Sequence, residues 1–481
     1  MKRLARVAAA AASLGACALV ARTSRADPPG RGRHADAPPQ QTTSAKPAET
    51  APADAQQADA PDEDDVDPAH ITGVERPAVE RGDSGRAAGA NVLFPFRELF
   101  AGLFAGADAL ASIAAGLKIV PRVEQLIFPE PGEIALVPTI FFQSKHAPNF
   151  GGRILERGDA GEAVVSAAGG GAHDVYVATD LVWKRRGRLP WEISVDTLFD
   201  ERDDLEFFGL GQDPDTDPRN HYRSTATTHD ALYLEKRSRV VAAADVSILP
   251  WLHVVGSGSL FQSRVRDASD AGLAGFEKVF VPTPYLADAA QTRIAYGEVA
   301  LRASSRRQWD GAEPGAKAEF YGGYGANVGG ADARYAAIGG RAVLSIPILR
   351  PTNTLSPQLV LDAVDPIGPD AAFPFTALTR QPDYRGYDVR RDNLSLVASL
   401  DYRWVIHRYV AMRVFTDFAE VAPRVDRLLA LPPRFAAGFG FDLFNHETAL
   451  AQFSMSFSDD GPRVAVTFGW APLGGDRQHR N

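Results

Sequence analysis

Hydrophobic and polar residues alternate one by one through five segments between Asn393 and Trp470. In one of them, every second residue from Ala451 to Phe457 is apolar, and the residues between are glutamine or serine. A period of two is typical of an extended strand with one face in an apolar medium and the other in a polar one. The segment lengths approach the ~9–11 residues that a tilted strand needs to cross a bilayer.

The polar face of these segments is rich in serine, glycine, aspartate and arginine, which suits a water-filled lumen. Short connections at 407–409 and 445–448 alternate with longer or charged ones at 420–433 and 458–463, the asymmetry of outer-membrane barrels. The pattern therefore predicts an all-β fold, a transmembrane antiparallel β-barrel. A soluble β protein is the alternative.

The alternation begins near Ile134, so the barrel is predicted over 134–470. At ~20 residues for each strand with its connection, this region holds about sixteen strands, and an even number leaves both ends on the periplasmic side. Eight earlier strands are predicted, with noisier alternation: Ile134–Ser144, Val175–Trp183, Trp191–Leu198, Ala231–Val240, Leu252–Phe261, Ile294–Leu301, Lys317–Tyr324 and Arg341–Leu349.

The first 133 residues differ in character from the barrel region. Residues 1–26 have a basic start, an apolar run and a small-x-small cleavage site, and so predict a secretory signal peptide; lipidation at Cys17 is the rival interpretation. Residues 27–90 contain no Leu, Met, Phe, Tyr or Trp, which predicts a disordered linker. Apolar residues at helical spacing predict an amphipathic helix within 91–133, at the barrel rim. A short polar tail, 471–481, follows the barrel.

Composition limits the chemistry that the chain can perform. The net charge of −9 disfavours a nucleic-acid partner, because phosphate binding needs a concentrated basic surface. The histidines lack metal-ligand spacing, and no nucleophile elbow of the G-x-S-x-G form is present. We expect no metal, no cofactor and no catalytic residues, and hence no enzyme. Outer-membrane lipid is the predicted partner.

A loop carries Arg385-Gly386-Tyr387, and a later strand carries Phe415-Thr416-Asp417. Followed by the run of alternating strands, these motifs resemble the BamA-like outer-membrane barrel family, also called bacterial surface antigen barrels. The resemblance implies that the loop folds into the lumen and that Arg385 pairs with Asp417. The alternative is a solvated Arg385, with Asp417 one charge among several on the lumen face: Asp401, Arg403 and Arg413.

A second short segment is also similar to a motif of that family. It contains Phe208, Gly209 and Gly211. The family's members assemble or translocate outer-membrane proteins, so the resemblance implies unfolded outer-membrane protein clients. The family's periplasmic POTRA modules have no room before 134, and we therefore expect a separate periplasmic partner. The alternatives are a passive pore for small solutes and a barrel esterase or lipase.

Overall fold

The computed structural model describes residues 134–468, apart from 144–147, 159, 171–174, 186–189, 227–228, 269–272, 282–290, 306–313, 330–333, 349, 368–375, 378–383, 387–389, 408–409 and 445–448. The predicted signal peptide (1–26), linker (27–90), helical segment (91–133) and tail (471–481) lie outside the described residues. Among the described residues, no helix has the length and apolar character needed to span a membrane.

Sixteen strands of the described chain close into one antiparallel barrel, each paired with its neighbour along the chain and the last with the first. They are β1 (Ile134–Gln143), β2 (Asn149–Gly158), β3 (Gly161–Gly169), β4 (Val175–Arg185), β5 (Trp191–Phe207), β6 (Ala231–Leu249), β7 (Leu252–Asp267), β8 (Gln291–Ser304), β9 (Gly315–Asn327), β10 (Arg334–Ile348), β11 (Arg350–Ile367), β14 (Leu394–His407), β15 (Val410–Ala422), β16 (Arg434–Phe444), β17 (Ala449–Ser458) and β18 (Gly461–Phe468). Between β11 and β14, a two-residue ladder joins β12 (Thr376–Ala377) to β13 (Arg391–Asp392).

Two short helical turns lie in the connections of the barrel. The helix α1 (Phe276–Val279) follows β7, and a 3-10 turn (Val425–Arg427) follows β15. Phe276 and Val279 are buried. They pack with Phe207, Tyr233 and Phe280 at the ends of β5 and β6.

Strand register gives every barrel residue either an inward or an outward direction. Opposite residues in an antiparallel pair share a face, and this parity can be followed around the ring without a break. Inward positions hold buried charged side chains such as Glu298, Glu319 and Asp442. Outward positions on most strands hold exposed apolar side chains: Leu136, Phe150, Ile193, Val240, Leu260, Val299, Phe320, Ile338, Leu359, Leu400, Phe418 and Phe457.

The two mouths of the barrel differ. Where β1 begins, the connections are tight, as at 159–160 and 250–251. The opposite mouth carries the long connections 208–230, 268–290 and 368–393. Because outer-membrane barrels have short periplasmic turns and longer extracellular loops, the long connections define the extracellular mouth. Near the periplasmic mouth lie Trp183 and Trp251, both exposed, as in an aromatic belt at a membrane interface.

The joint between β1 and β18 closes the barrel, and it is described only in part, because residues 144–147 and 469 onward lie outside the described residues. Within the described residues it comprises four residue pairs, from Ile140↔Phe468 to Gln143↔Ala465. The neighbouring joint between β17 and β18 comprises eight. We call the β1–β18 joint the seam.

The structure confirms the predicted all-β fold, the antiparallel barrel and the count of sixteen strands. Three strands, β2, β3 and β11, were not predicted from alternation. The connection predicted at 458–463 to be longer or charged is charged but short: β17 and β18 are joined by a tight turn at 459–460. Asp459 and Asp460 occupy the turn itself.

Side chains of β11 point alternately outward and into the lumen, so substitutions at two neighbouring positions test the lipid-facing surface. Leu359 is outward and 49% exposed, whereas its neighbour Gln358 faces the lumen. We expect Leu359→Arg to destabilise the barrel by ~2–4 kcal/mol, the cost of an arginine on the lipid face near the bilayer midplane. Gln358→Arg, the matched control, should leave stability nearly unchanged. Denaturant unfolding in phospholipid vesicles measures both, and equal stability of the two variants would rule out a lipid-facing β11.

Candidate functional site: a loop held in the lumen

The connection between β11 and β14, residues 368–393, is called the lumen loop here, and its described residues 384–386 lie inside the barrel. Its Tyr384 is buried against apolar side chains of the inner wall: Val360, Val397, Ala419, Val421 and Ala436. This apolar contact places the next residue, Arg385, against the inner face of β14 and β15. The loop is thus fixed in the barrel by packing as well as by charge.

Arg385 binds Asp417 in the two-pronged geometry typical of a guanidinium and a carboxylate. Its Nε donates to Asp417 Oδ2 at 2.9 Å and its Nη2 to Asp417 Oδ1 at 2.7 Å. The backbone N–H of Arg385 also donates to Asp417 Oδ2, at 3.1 Å. Asp417 is 0% exposed, so three hydrogen bonds compensate a carboxylate that water does not reach. The structure therefore brings together the two residues that the motifs indicate.

The aromatic ring of Phe415 packs against the guanidinium of Arg385. The ring of Phe415 lies 3.6 Å from Arg385 Cζ, a close cation–π contact. Phe415 is paired across the ladder with Gly438, and a Cβ at Gly438 would lie 2.6 Å from the ring. The glycine therefore allows the ring to lie flat on the wall, beneath the guanidinium.

The charged residues predicted on the lumen wall extend this contact toward the periplasmic mouth. Arg385 Nη1 donates to Asp401 Oδ2 at 2.8 Å, and Arg413 Nη1 lies 3.9 Å from the same oxygen. Arg413 and Arg403 then share Asp442, at 3.2 and 3.4 Å. Acidic and basic side chains alternate along this series, so each arginine lies beside a carboxylate.

Gly386 occupies the tip of the lumen loop in a conformation that favours glycine. Its φ is +104°, and a Cβ there would lie 2.8 Å from Ser456 Oγ. Its carbonyl accepts a hydrogen bond from Ser458 Oγ at 2.6 Å. Both serines belong to the inner face of β17, so the tip is held two strands beyond Asp417. Tyr387, the third residue of the predicted motif, lies outside the described residues.

The motif of Phe208, Gly209 and Gly211 lies in the β5–β6 connection. The described residues of this connection, 208–226 and 229–230, are called the extracellular cap here. Gly209 and Gly211 have positive φ, +96° and +89°, and fold the chain so that the Gly211 N–H donates to Arg391 O at 2.9 Å. The aromatic ring of Phe208 lies 5.1 Å from the guanidinium of Arg390. The motif thus binds the end of the lumen loop rather than the barrel wall.

Gln212 attaches the extracellular cap to β15. Its Oε1 accepts the N–H of Val421 at 3.0 Å, and its Nε2 donates to Ala419 O at 3.4 Å. Its own carbonyl accepts from Arg434 Nη2 at 3.4 Å. The side-chain amide thus supplies hydrogen-bond partners to the backbone of β15 beyond Ala419, where its pairing with β16 stops.

Arg219 joins the cap to the base of the lumen loop. It makes a two-pronged contact with Asp392, at 2.8 and 2.7 Å, and binds Asp217 at 2.6 Å. Asp392 is 0% exposed. Partial burial alone would raise the pKa of Asp217, but the hydrogen bonds and charge of Arg219 outweigh it and hold the pKa below its ordinary value. The Asp217 carboxylate therefore stays ionised beside Arg219 at neutral pH.

Sequence reasoning indicated Phe208, Gly209 and Gly211 of the cap but missed Gln212, Arg219 and Asp392. Arg219 and Asp392 are far apart in the chain and belong to loops, where no periodicity indicates a partner. Asp442 was on the predicted lumen face, but its place between Arg403 and Arg413 depends on the register of three strands. Within the described part of the chain, no cluster of His, Cys, Asp and Glu side chains has the arrangement of a metal site.

No family model and no curated protein matches the sequence. Among solved structures, the fold is similar to that of BamA from Haemophilus ducreyi lacking POTRA domains 1-3, with 13% identity, a TM-score of 0.47 and 70% of each chain covered. It is also similar to CdiB from Acinetobacter baumannii, with 7% identity, a TM-score of 0.43 and 69% of this chain covered. The chain spans 59% of the CdiB chain. The likeness is one of fold.

Removing the charge of Asp417 tests how the lumen loop is held. Asp417→Asn keeps the shape of the side chain but leaves Arg385 with one carboxylate partner, Asp401. Because breaking a buried pair costs several kcal/mol, we expect proteinase K to cleave the 368–393 region on the order of 10-fold faster. Asp365→Asn on the outer face of β11 makes the same chemical change away from the loop. Equal cleavage of the two variants would show that the pair does not hold the loop.

Proposed function

We propose that the chain is a non-enzymatic outer-membrane barrel that takes part in inserting proteins or lipid into the outer membrane or in translocating them. A closed antiparallel barrel with an apolar outer belt is an outer-membrane architecture. Unfolded outer-membrane proteins are the proposed clients, and a separate periplasmic partner would deliver them. The observation that carries the proposal is the lumen loop held by Arg385 on Asp417, the contact implied by the BamA-like motifs.

The seam is the proposed entry for a client. It pairs the first strand of the barrel with the last, so no turn of the chain ties its two strands together. An unpaired strand edge is costly in lipid, but a client strand that pairs with β1 replaces the lost hydrogen bonds, as in other cases of strand addition. Opening at the seam therefore exchanges partners and leaves few backbone groups without one.

The lumen loop holds several strands near the seam in place. Arg385 contacts β14 and β15, and Gly386 reaches β17 through Ser458. These contacts hold β14, β15 and β17, which lie on the β18 side of the seam, from the lumen side. Opening would then displace β1 and β18 from each other while the strands under the loop keep their register.

A passive pore for small solutes is the second candidate, and one observation favours it: the lumen wall is charged, with Arg413 and Asp442 among its residues. Against it stands the lumen loop, whose Tyr384 and Arg385 lie inside the barrel against the inner wall. For an esterase or lipase the support is weaker. His229 and His253, for example, contact aspartates, Asp215 and Asp245, and hydrolysis of an acyl ester by the purified protein would contradict a non-enzymatic role.

A disulfide across the seam tests the proposed entry. Phe142 and Val466 are outward Cα partners across the seam, at a separation that a disulfide can bridge. In cells that depend on this chain, the pair Phe142→Cys and Val466→Cys should abolish most insertion of outer-membrane proteins under oxidising conditions. Their folded forms are measured by heat-dependent gel mobility, and reduction should restore them.

The control disulfide also uses Val466 but joins β18 to β17 instead of β1. Phe453 and Val466 are outward Cα partners between β17 and β18, so Phe453→Cys with Val466→Cys adds a disulfide without closing the seam. Insertion should continue in this control. If the seam disulfide forms and insertion proceeds as in the control, a client does not enter at the seam.

A further inference from the structure

The outward face of β7 passes through three zones along the strand. Leu260, 60% exposed, belongs to the apolar belt. Gln262 comes next toward the extracellular mouth, and Arg264 and Arg266 follow, both exposed. Apolar, polar and charged zones in this order match the hydrocarbon, the interface and the headgroups of a membrane leaflet.

The strands on either side of β7 repeat the order. On β6 the outward residues run from Val240 through Ser238 to Lys236. On β8 the exposed Arg293 is outward, one outward position before Gln291 at the extracellular end of the strand. Four basic side chains thus reach the same level of the barrel on three adjacent strands. We call Lys236, Arg264, Arg266 and Arg293 the basic lipid-facing cluster.

Strand register places these four charges unusually close together. Lys236 lies directly opposite Arg264, and Arg293, opposite Gln262, is diagonal to Arg264. Directly opposite side chains have Cβ atoms ~5 Å apart and diagonal ones ~7–8 Å. Like charges at such separations destabilise a sheet. A bound anion would remove this repulsion.

Protein groups do little to neutralise the cluster. Lys236 approaches Glu201 at 3.7 Å, but within the described residues Arg264, Arg266 and Arg293 have no side-chain ion pair. The cluster is also local. At the same mouth, the outward ends of β2, β16 and β17 carry aromatic residues instead: Phe150, Phe435 and Phe457. In a chain of net charge −9, such a concentration of positive charge is a specific feature of this sector.

We propose that the basic lipid-facing cluster binds the phosphate groups of a lipid in the extracellular leaflet. Arginine matches phosphate with paired N–H donors, and three of the four residues are arginines. The cluster points away from the lumen and continues into the apolar belt at Leu260 and Val240. Acyl chains would lie on that belt while the headgroup phosphates meet the charges, so the ligand is a lipid and not free phosphate.

Binding of a phosphorylated lipid to the purified full-length protein in neutral detergent tests this site. The probe is fluorescent lipid A carrying both phosphates, followed by anisotropy. Each basic side chain at a membrane surface contributes about fivefold to the binding of anionic lipid, so Arg264→Gln with Arg266→Gln should weaken binding about 25-fold. Arg264→Lys with Arg266→Lys should retain most of it. Heat-dependent gel mobility verifies that each variant is folded.

The control is Lys184→Gln with Arg185→Gln, which removes two exposed basic residues at the periplasmic mouth. Its affinity should equal that of the unmodified protein, and the probe without its phosphates should bind far more weakly. Unchanged affinity of the Arg264→Gln, Arg266→Gln variant would overturn the proposal. So would displacement of the probe by millimolar inorganic phosphate, because the site would then bind free phosphate.

Discussion

The absence of water in a bilayer is the constraint on which the rest of this structure depends. Every backbone N–H and C=O within the hydrocarbon needs a partner, so a sheet that spans it must close. Closure gives each strand one face toward lipid and one toward the lumen, and the inward and outward parity continues through all sixteen strands. The seam pairs the first strand with the last, so no turn connects the two strands that meet there. Closure is therefore the source of the stability of the barrel and of one joint without a connecting turn.

A closed sheet also produces a polar interior in which buried charges need partners. Arg385, Asp401 and Asp417 supply them to one another, and Phe415 over Gly438 gives the guanidinium a flat surface. The cap repeats the arrangement at the extracellular end, where Arg219 binds Asp392 at the base of the same loop. One loop is thereby held at its tip and at its base. Its position does not depend on either contact alone.

The fold was largely predictable, because phenylalanine, serine and glycine alternate cleanly on the C-terminal strands. β2 and β11 were not predicted: Gly151 and Gly152 remove the alternation in one, and the other contains Pro357, a residue unfavourable within strands. The Arg385–Asp417 contact could be predicted from the motifs and from the position of Asp417 on the lumen face of its strand. The Arg219–Asp392 contact could not, because it joins two loops whose approach is set by the closed barrel and by no local pattern.

If Arg385 holds the lumen loop inside the barrel, the loop obstructs the passage of ions. Planar-bilayer conductance of the full chain, compared with that of a variant lacking residues 380–390, tests this claim. The unmodified protein should conduct weakly, because the loop lies inside the barrel, and the deletion should raise the conductance several-fold. An unmodified protein that already conducts as strongly as the deletion variant would contradict the claim and favour a passive pore.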